Sequence, residues 1–438
     1  MQSKLLIYCP KLTPRHQYIF KVLFNELYVI DYLLTDDEDV FLNSQDVKIN
    51  YSKKSICTNE FFVESNGLLS EKGINELDIQ VQFVNDEPAF FTTTNESAYH
   101  FDIFAASFYL ISRYEEYLPH LKDKYNRYKA EESLAYKHGF LQKPIVNIWL
   151  KQFIGQLQSQ FPNLIIQSPK FKYISTIDID NAYLYKGKGF VRSVAFLLKA
   201  LVVFDFEAIK MAFQVTLKKR KDPFDTYSLQ FNLQKKYNLD VRYFILMGDY
   251  GMNDKSISHN NSNLQVLIKR LADLAPVGIH PSFGSNINEK KLTVEVKRLE
   301  DIQKREVKFS RQHFLQLSLP KTYKRLIEAG ITNDFTMGYA SHLGFRAGIA
   351  SPFTFYNLDM EQIFPMMIHP FAIIDDTLKF NMNLDTDEVI EKINGIIEGV
   401  KQVNGTLITI WHNDTLSDEG VWKGWRNVYE DMVKLINT

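Results

Sequence analysis

Apolar and polar positions follow two different patterns along the chain, and the change falls near residue 168. In the first part, short strand-like runs such as Lys4–Cys9 come before two helical stretches. The first of these has apolar residues at positions 101, 104, 105, 108 and 111, a spacing near 3.6 that ends at Pro119. The second covers Ile145–Phe161. We therefore predict a smaller α+β domain over residues 1–168.

From residue 169 onward, strand-like runs alternate with helical stretches. The predicted strands are 172–179, 241–247, 276–280, 307–311 and 406–412, with further apolar runs at 353–356 and 366–374. The predicted helices are 190–213, 263–274, 288–305, 321–329, 386–403 and 421–436. Repeated βα units form parallel sheets, and about seven of them form a barrel or near-barrel. The fold class predicted for residues 169–438 is therefore α/β.

Four of these strands end in residues that can bind a metal or move a proton. The first is the stretch KYISTIDIDNAY, in which Asp178 and Asp180 alternate with Ile179 and so share one face of the strand. The others end at His280, at Arg311 with His313, and at His412. Because the carboxyl ends of parallel strands in a barrel meet at one mouth, we predict a shared site there.

Composition limits the class of protein. The chain has 438 residues, 45% of them hydrophobic and 24% charged, which is typical of a globular protein. Its net charge is −1, so it lacks the basic excess expected of a nucleic-acid binder. Its two cysteines, Cys9 and Cys57, are not spaced as a metal or redox motif. No apolar run is long enough to span a membrane, and the first residues lack a signal-peptide pattern. These features predict a cytoplasmic protein with no membrane span.

The order of motifs in the second part resembles the polysaccharide deacetylase (NodB homology) family of carbohydrate esterases. The matching stretches are T-x-D-x-D, GIHPS, VKFSRQHF and LITIWHND, within residues 170–438. The first part resembles the uncharacterised domain that precedes such a module in Bacteroidota-type proteins, through YCPKLTPRHQYIF, FDIFAASFYLISRYEEYLP and SLAYKHGFL. The resemblance implies a distorted (β/α)7 barrel that removes an acetyl group from a sugar with a divalent metal, often zinc.

Carried over residue by residue, the resemblance gives each strand-end group a role. Asp178 is the expected general base, Arg311 orients it, and His412 is the expected general acid. Asp180 and His280 are the expected metal ligands. The site chemistry is consistent with these residue types, because a metal polarises an acyl carbonyl while a carboxylate and an imidazole transfer protons.

The chain departs from the family pattern at one metal ligand, since Gly284 stands where a second histidine is expected. Three alternatives follow. His313 supplies the missing imidazole, Ser282 or a water completes a weaker site, or no metal binds because two protein ligands seldom hold zinc.

Further candidates have two interpretations each. Arg346 either clamps an anionic substrate or forms a buried ion pair, and Asp334 either contacts substrate or caps a turn. Ser282 is also a candidate substrate contact. Asp414 either fixes the tautomer of His412 or caps the following turn. The basic run 218–221 is typical of a solvated helix end.

The function predicted from these features is a metal-dependent hydrolase that removes an acyl group from an amino sugar or glycoconjugate. The expected cofactor is a divalent metal, zinc by the resemblance, and the expected partner is a carbohydrate. The alternative is a degenerate barrel that binds a glycan or a protein without turnover.

Overall fold

The computed structural model describes residues 4–437, which contain two main sheets of different size, the smaller one parallel and the larger one mostly parallel. The smaller sheet lies in the first part of the chain and has the strand order β2-β1-β3-β4, beside the two-stranded hairpin β5-β6. The strands of this part are β1 (Leu5–Tyr8), β2 (Tyr32–Thr35), β3 (Val47–Ser52), β4 (Phe61–Glu64), β5 (Gln82–Val84) and β6 (Glu87–Ala89). Its helices are α1 (Pro14–Lys21), α2 (Glu38–Asn43), α3 (Ile103–Ile111), α4 (Leu134–Lys137) and α5 (Ile145–Gln160).

The larger sheet has nine strands among the residues described. They are β7 (Lys172–Ile179), β8 (Asp240–Leu246), β9 (Val277–His280), β10 (Phe309–Ser310), β11 (Asn333–Asp334), β12 (Phe353–Asn357), β13 (Gln362–Ile368), β14 (Ile373–Ile374) and β15 (Thr406–His412). The helices between and after them are α6 (Gly189–Val202), α7 (Phe206–Thr216), α8 (Tyr227–Tyr237), α9 (Ser262–Leu274), α10 (Phe283–Ile287), α11 (Glu289–Gln303), α12 (Lys321–Glu328), α13 (Val389–Gln402) and α14 (Trp425–Asn437).

The strand order of the larger sheet, β12-β13-β11-β10-β9-β8-β7-β15-β14, gives it the form of an incomplete barrel. All neighbours are parallel except β12 and β13. Strand β13, next to the β12 edge, and strand β14, at the opposite edge, follow each other in the chain and are joined by residues 369–372. The sheet therefore curls round without pairing its ends, which confirms the predicted α/β class with a distorted barrel and a separate, smaller N-terminal sheet.

One predicted helix is wrong in its length. The stretch 190–213 is not one helix, because Phe204 takes a left-handed backbone conformation (φ 56°) and Asp205 then caps α7 by accepting a hydrogen bond from the Ala208 N–H. Helices α6 and α7 consequently form a hairpin. Strand β10 is also shorter than the predicted strand 307–311.

The first part of the chain packs against the barrel. Tyr18 and Phe108 pack against Tyr356 in tilted and edge-to-face arrangements, with ring centroids 4.8 and 5.4 Å apart, and buried Arg15 pairs with Glu361. These contacts join the two sheets through one continuous apolar core. Within residues 4–437, no helix combines the length and the apolar character that crossing a bilayer requires.

Candidate active site

The predicted strand-end residues meet at the carboxyl edge of the larger sheet. Asp178 on β7 lies directly opposite His412 on β15, and His280 on β9 lies opposite Leu246, the residue that ends β8. These ends border a cavity of about 380 Å³. Its lining includes Asp178, Asp180, His280, His313, Phe314, Leu315, Asp376 and His412, together with Lys124, Tyr125 and Arg127 from the first part of the chain.

Asp178 is held by a buried arginine. Arg311 Nη1 donates to Asp178 Oδ1 at 2.9 Å and to the hydroxyl oxygen of Thr176 at 2.7 Å, while Arg311 Nε donates to the carbonyl of Phe335. Both Asp178 and Arg311 are almost completely buried. The second oxygen of Asp178 lies on the side of the cavity, 3.9 Å from His280 Nε2. The carboxylate is therefore fixed at one oxygen and presented at the other.

Asp180 lies between two imidazoles. Its Oδ1 is 3.2 Å from His280 Nε2, and its Oδ2 is 3.3 Å from His313 Nε2. Ligands around a tetrahedral zinc, each about 2.0–2.2 Å from the ion, lie about 3.3–3.6 Å apart, and each of the two nitrogen–oxygen distances is close to this range. The three residues that the sequence singled out as metal ligands are thus brought together.

The outer nitrogens of both imidazoles already have acceptors. His280 Nδ1 donates to the carbonyl of Arg311 at 2.5 Å, and His313 Nδ1 donates to the Asp254 carboxylate at 2.8 Å. In neutral rings these contacts place the lone pairs at Nε2, toward Asp180. A nitrogen lone pair and a carboxylate oxygen repel each other unless a proton or a metal ion lies between them. The residues present therefore fit a divalent cation.

The pKa shifts of His313 and Asp180 both favour positive charge between these side chains. Burial lowers the pKa of His313, but Asp180 and Asp254 outweigh this effect and raise it to about 9. Burial likewise opposes ionisation of Asp180, yet the two imidazoles bring its pKa well below the usual range.

Gly284 lies beside the site without contributing a ligand. A β-carbon placed there would be 3.2 Å from Lys291 Nζ and 3.8 Å from Asp254 Oδ2. Immediately after His313, Phe314 and Leu315 have left-handed backbones, with φ of 58° and 53°. Non-glycine residues seldom adopt this conformation, and such strain is concentrated at functional sites.

His412 is oriented by Asp375, not by Asp414. Its Nδ1 is 2.8 Å from Asp375 Oδ1, and Asp375 Oδ2 accepts hydrogen bonds from the His412 backbone N–H and from the hydroxyl of Thr415. The interpretation of Asp414 as the partner of the imidazole is therefore wrong, and Asp414 accepts from the Thr415 N–H at the following turn. Burial lowers the pKa of His412, but Asp375 and Asp376 raise it well above its ordinary value.

Arg346 forms the buried ion pair that was one of its two interpretations. It is 2% exposed and donates from Nε and Nη2 to Glu116, and from Nη1 to the carbonyl of Gly338. Burial raises the pKa of Glu116, but Arg346 and Arg113 outweigh it and lower the value to about 2. All three guanidinium nitrogens of Arg346 therefore donate hydrogen bonds to protein acceptors.

Asp334 and Ser282 are also committed to protein partners. Asp334 is fully buried and accepts hydrogen bonds from Ser310 and Thr336, which fits the turn-capping interpretation. Ser282 caps α10 by accepting from the Ser285 N–H and donates its own proton to Glu295. Neither residue belongs to the cavity lining.

Sequence reasoning missed Asp254, Asp375 and Asp376. Burial raises the pKa of Asp376 to about 7, with Asp375 adding to the shift and His412 opposing it. A signal existed for two of them, because FAIIDD places two carboxylates after an apolar run, as in TIDID. Asp254 lies in a polar loop after β8 that has no such pattern.

Fold and site together describe an α/β barrel-like protein with a histidine–carboxylate centre at the carboxyl edge of its sheet. Residues 5–162 match a family model described as "Family of unknown function (DUF7033)". No curated protein matches the chain.

Solved structures with some similarity include a putative polysaccharide deacetylase from Mycobacterium smegmatis, at 12% identity and a TM-score of 0.38, covering 61% of this chain and 85% of that one. Another is a polysaccharide deacetylase from Bacillus cereus, at 11% identity and a TM-score of 0.29, covering 60% and 86%. A third is Puue allantoinase, at 8% identity and a TM-score of 0.36, covering 60% and 84%.

Proposed function

We propose that the protein is a metal-dependent hydrolase that removes an acyl group from an amino sugar or a glycoconjugate. The observation that carries this proposal is the meeting of Asp180, His280 and His313 beside Asp178 and His412 in one cavity. The first three are the proposed metal ligands, and the other two are the proposed base and acid.

A divalent metal at these ligands supplies a Lewis acid that polarises an acyl carbonyl and lowers the pKa of a water molecule. Asp178 accepts a proton from the attacking water at the oxygen that Arg311 leaves open. His412 donates a proton to the leaving nitrogen as the C–N bond breaks. Water thus supplies the oxygen of the released carboxylic acid, and the amine carries away the proton from His412.

The aromatic residues that line the cavity support the proposal of a carbohydrate substrate. Tyr125, Phe314 and Phe380 line it, and the rings of Tyr125 and Phe314 lie 5.0 Å apart. Aromatic faces are suited to the apolar faces of sugar rings, since they combine a large apolar area with a polar edge. Tyr125 comes from the first part of the chain, which therefore contributes to the proposed substrate cleft.

The proposal is tested by measuring acetate release from N-acetylated amino sugars and their oligomers. We expect release by protein reconstituted with zinc, cobalt or manganese, and its loss after chelation with restoration by added metal. Metal analysis of the same sample shows whether the ion is bound. Protein with one bound ion that releases no acyl group from any of these substrates would contradict the proposal.

Replacement of Asp375 tests the role of His412. His412 is protonated below its pKa, so activity should fall as the pH rises through that value. Asp375→Asn removes the charge that raises the pKa, and we expect the alkaline limb of kcat/KM to move down by about one to three pH units. The matched control is Asp387→Asn, which changes an exposed residue. A lower rate with an unchanged pH profile would assign Asp375 a purely structural role.

A further inference from the structure

The α6–α7 hairpin exposes an unusual concentration of apolar side chains. Eleven of the 29 large hydrophobic residues that are exposed in the described chain lie between residues 190 and 217. They are Phe190, Val191, Val194, Leu198, Leu201, Val202, Val203, Phe204, Phe206, Phe213 and Leu217. Scattered single exposed hydrophobics are normal in globular proteins, whereas a contiguous patch marks an interaction surface.

The amphipathic pattern of α6 is turned outward. Val191, Val194, Leu198 and Val202 follow one another at helical spacing, and all four are exposed. The turn that follows is equally apolar, with Val203 61% and Phe204 77% exposed. In a globular helix this stripe would face the core. Here it faces away from the protein.

The other side of the hairpin is attached firmly to the barrel. The Asp222 carboxylate accepts hydrogen bonds from the backbone N–H groups of residues 184, 185 and 186, which fixes the base of the hairpin. Arg192 donates to the carbonyls of Lys255 and Ser256, and its guanidinium lies 3.9 Å from the ring centroid of Tyr250. The exposed face is therefore held in a fixed orientation.

The charge of the hairpin indicates which kind of surface its exposed apolar face binds. Residues 186–221 contain nine Lys or Arg and two Asp or Glu, a local net charge of +7 in a chain whose net charge is −1. Arg220 pairs with Glu419, and Lys186 and Lys221 lie near Asp225. In the part of the chain that the structure describes, Lys199, Lys210, Lys218 and Lys219 form no ion pair. A segment with a net positive charge and an exposed apolar face complements the anionic headgroups and acyl chains of a membrane surface.

We propose that the hairpin 189–217 docks the protein on an anionic lipid bilayer, with Val202 and Phe204 entering the headgroup region. The helices lie at the interface and do not cross it, since α6 has 14 residues and α7 has 11. This binding surface is separate from the cavity and does not depend on the proposed hydrolase activity.

The test is flotation of the full-length protein with vesicles. One set is pure phosphatidylcholine, and the other contains about one third phosphatidylglycerol. We expect binding to the anionic vesicles that weakens as salt is raised, because screening reduces the attraction of the lysines. The double variant Val202→Asp/Phe204→Asp should bind at least about tenfold more weakly, because each change removes a large apolar side chain. Lys218→Glu/Lys219→Glu should weaken binding to anionic vesicles selectively.

The matched control is Phe83→Asp/Val266→Asp, which replaces two similarly exposed residues elsewhere, 74% and 66% exposed. This variant should bind vesicles as the unmodified protein does. Sedimentation analysis is run in parallel to detect a dimer. A concentration-dependent dimer that the hairpin variant abolishes, without vesicle binding, would overturn the proposal in favour of self-association. Absence of vesicle binding, or binding that the hairpin variant leaves unchanged, would also overturn it.

Discussion

Asp178→Asn is expected to lower kcat for acyl hydrolysis by about 10²–10⁴-fold, the contribution of a positioned general base. Asparagine preserves the shape of the side chain, and its carbonyl oxygen still accepts the hydrogen bond that Arg311 donates to Asp178 Oδ1. The amide cannot accept the proton of the attacking water. The loss should therefore appear in kcat, with metal content close to that of the unmodified protein. The thermal midpoint should fall, because the variant leaves the buried Arg311 charge without its carboxylate partner.

The matched control for this variant is Asp301→Asn. Asp301 pairs with Lys297 on an exposed face of α11, and 57% of its side chain is exposed. We expect no change in kcat from that substitution. An Asp178→Asn protein that is folded, binds metal and retains more than about a tenth of the activity would exclude Asp178 as the base.

His313→Ala is expected to remove the bound metal. With only Asp180 and His280 remaining, two protein ligands are left, a number that seldom holds zinc. We expect affinity for zinc to fall by at least about 100-fold, since loss of even an outer-shell partner of a ligand costs 10–100-fold. Titration with zinc against a competing chelator measures this directly.

A second readout is the stabilisation that the metal provides. An ion present at about 100 times its Kd stabilises the folded state by about 2.7 kcal/mol, so zinc should raise the thermal midpoint of the unmodified protein and not that of His313→Ala. His342→Ala is the control, because His342 lies 2.9 Å from the Ser341 hydroxyl and outside the cavity. Unchanged zinc affinity in His313→Ala would show that the ligand set is wrong.

The departure at Gly284 illustrates how the site was predicted. Motif spacing alone left three alternatives for the missing ligand, and His313 was one of them because it ends a neighbouring strand. In the structure His313 lies beside Asp180, at the start of a sharp turn through Phe314 and Leu315. The residue types do not predict this turn, because it needs two non-glycine residues with positive φ, a conformation that such residues seldom adopt.

The outer contacts of the site could not be predicted in the same way. Asp254 is 59 residues from His313, and Asp375 is 37 residues from His412. Asp254 lies in a polar loop whose sequence would serve equally well on the surface. Asp375 follows an apolar run that marks a strand end, but nothing local identifies His412 as its partner. The two interpretations of Arg346 could not be separated by sequence, because Glu116, its ion-pair partner, lies 230 residues away in the first part of the chain.

Local sequence patterns account for the alternation of strands and helices in the second part and for the polar residues that end its strands. Both are local properties, since a period of two or 3.6 and the position of a strand end depend only on neighbouring residues. Tertiary structure decided which of those residues share a cavity, which carboxylates orient the imidazoles, and that the α6–α7 stripe faces outward. These outcomes depend on how distant segments pack, and contacts such as that between Arg311 and Asp178, 133 residues apart, exist only once the sheet has curled.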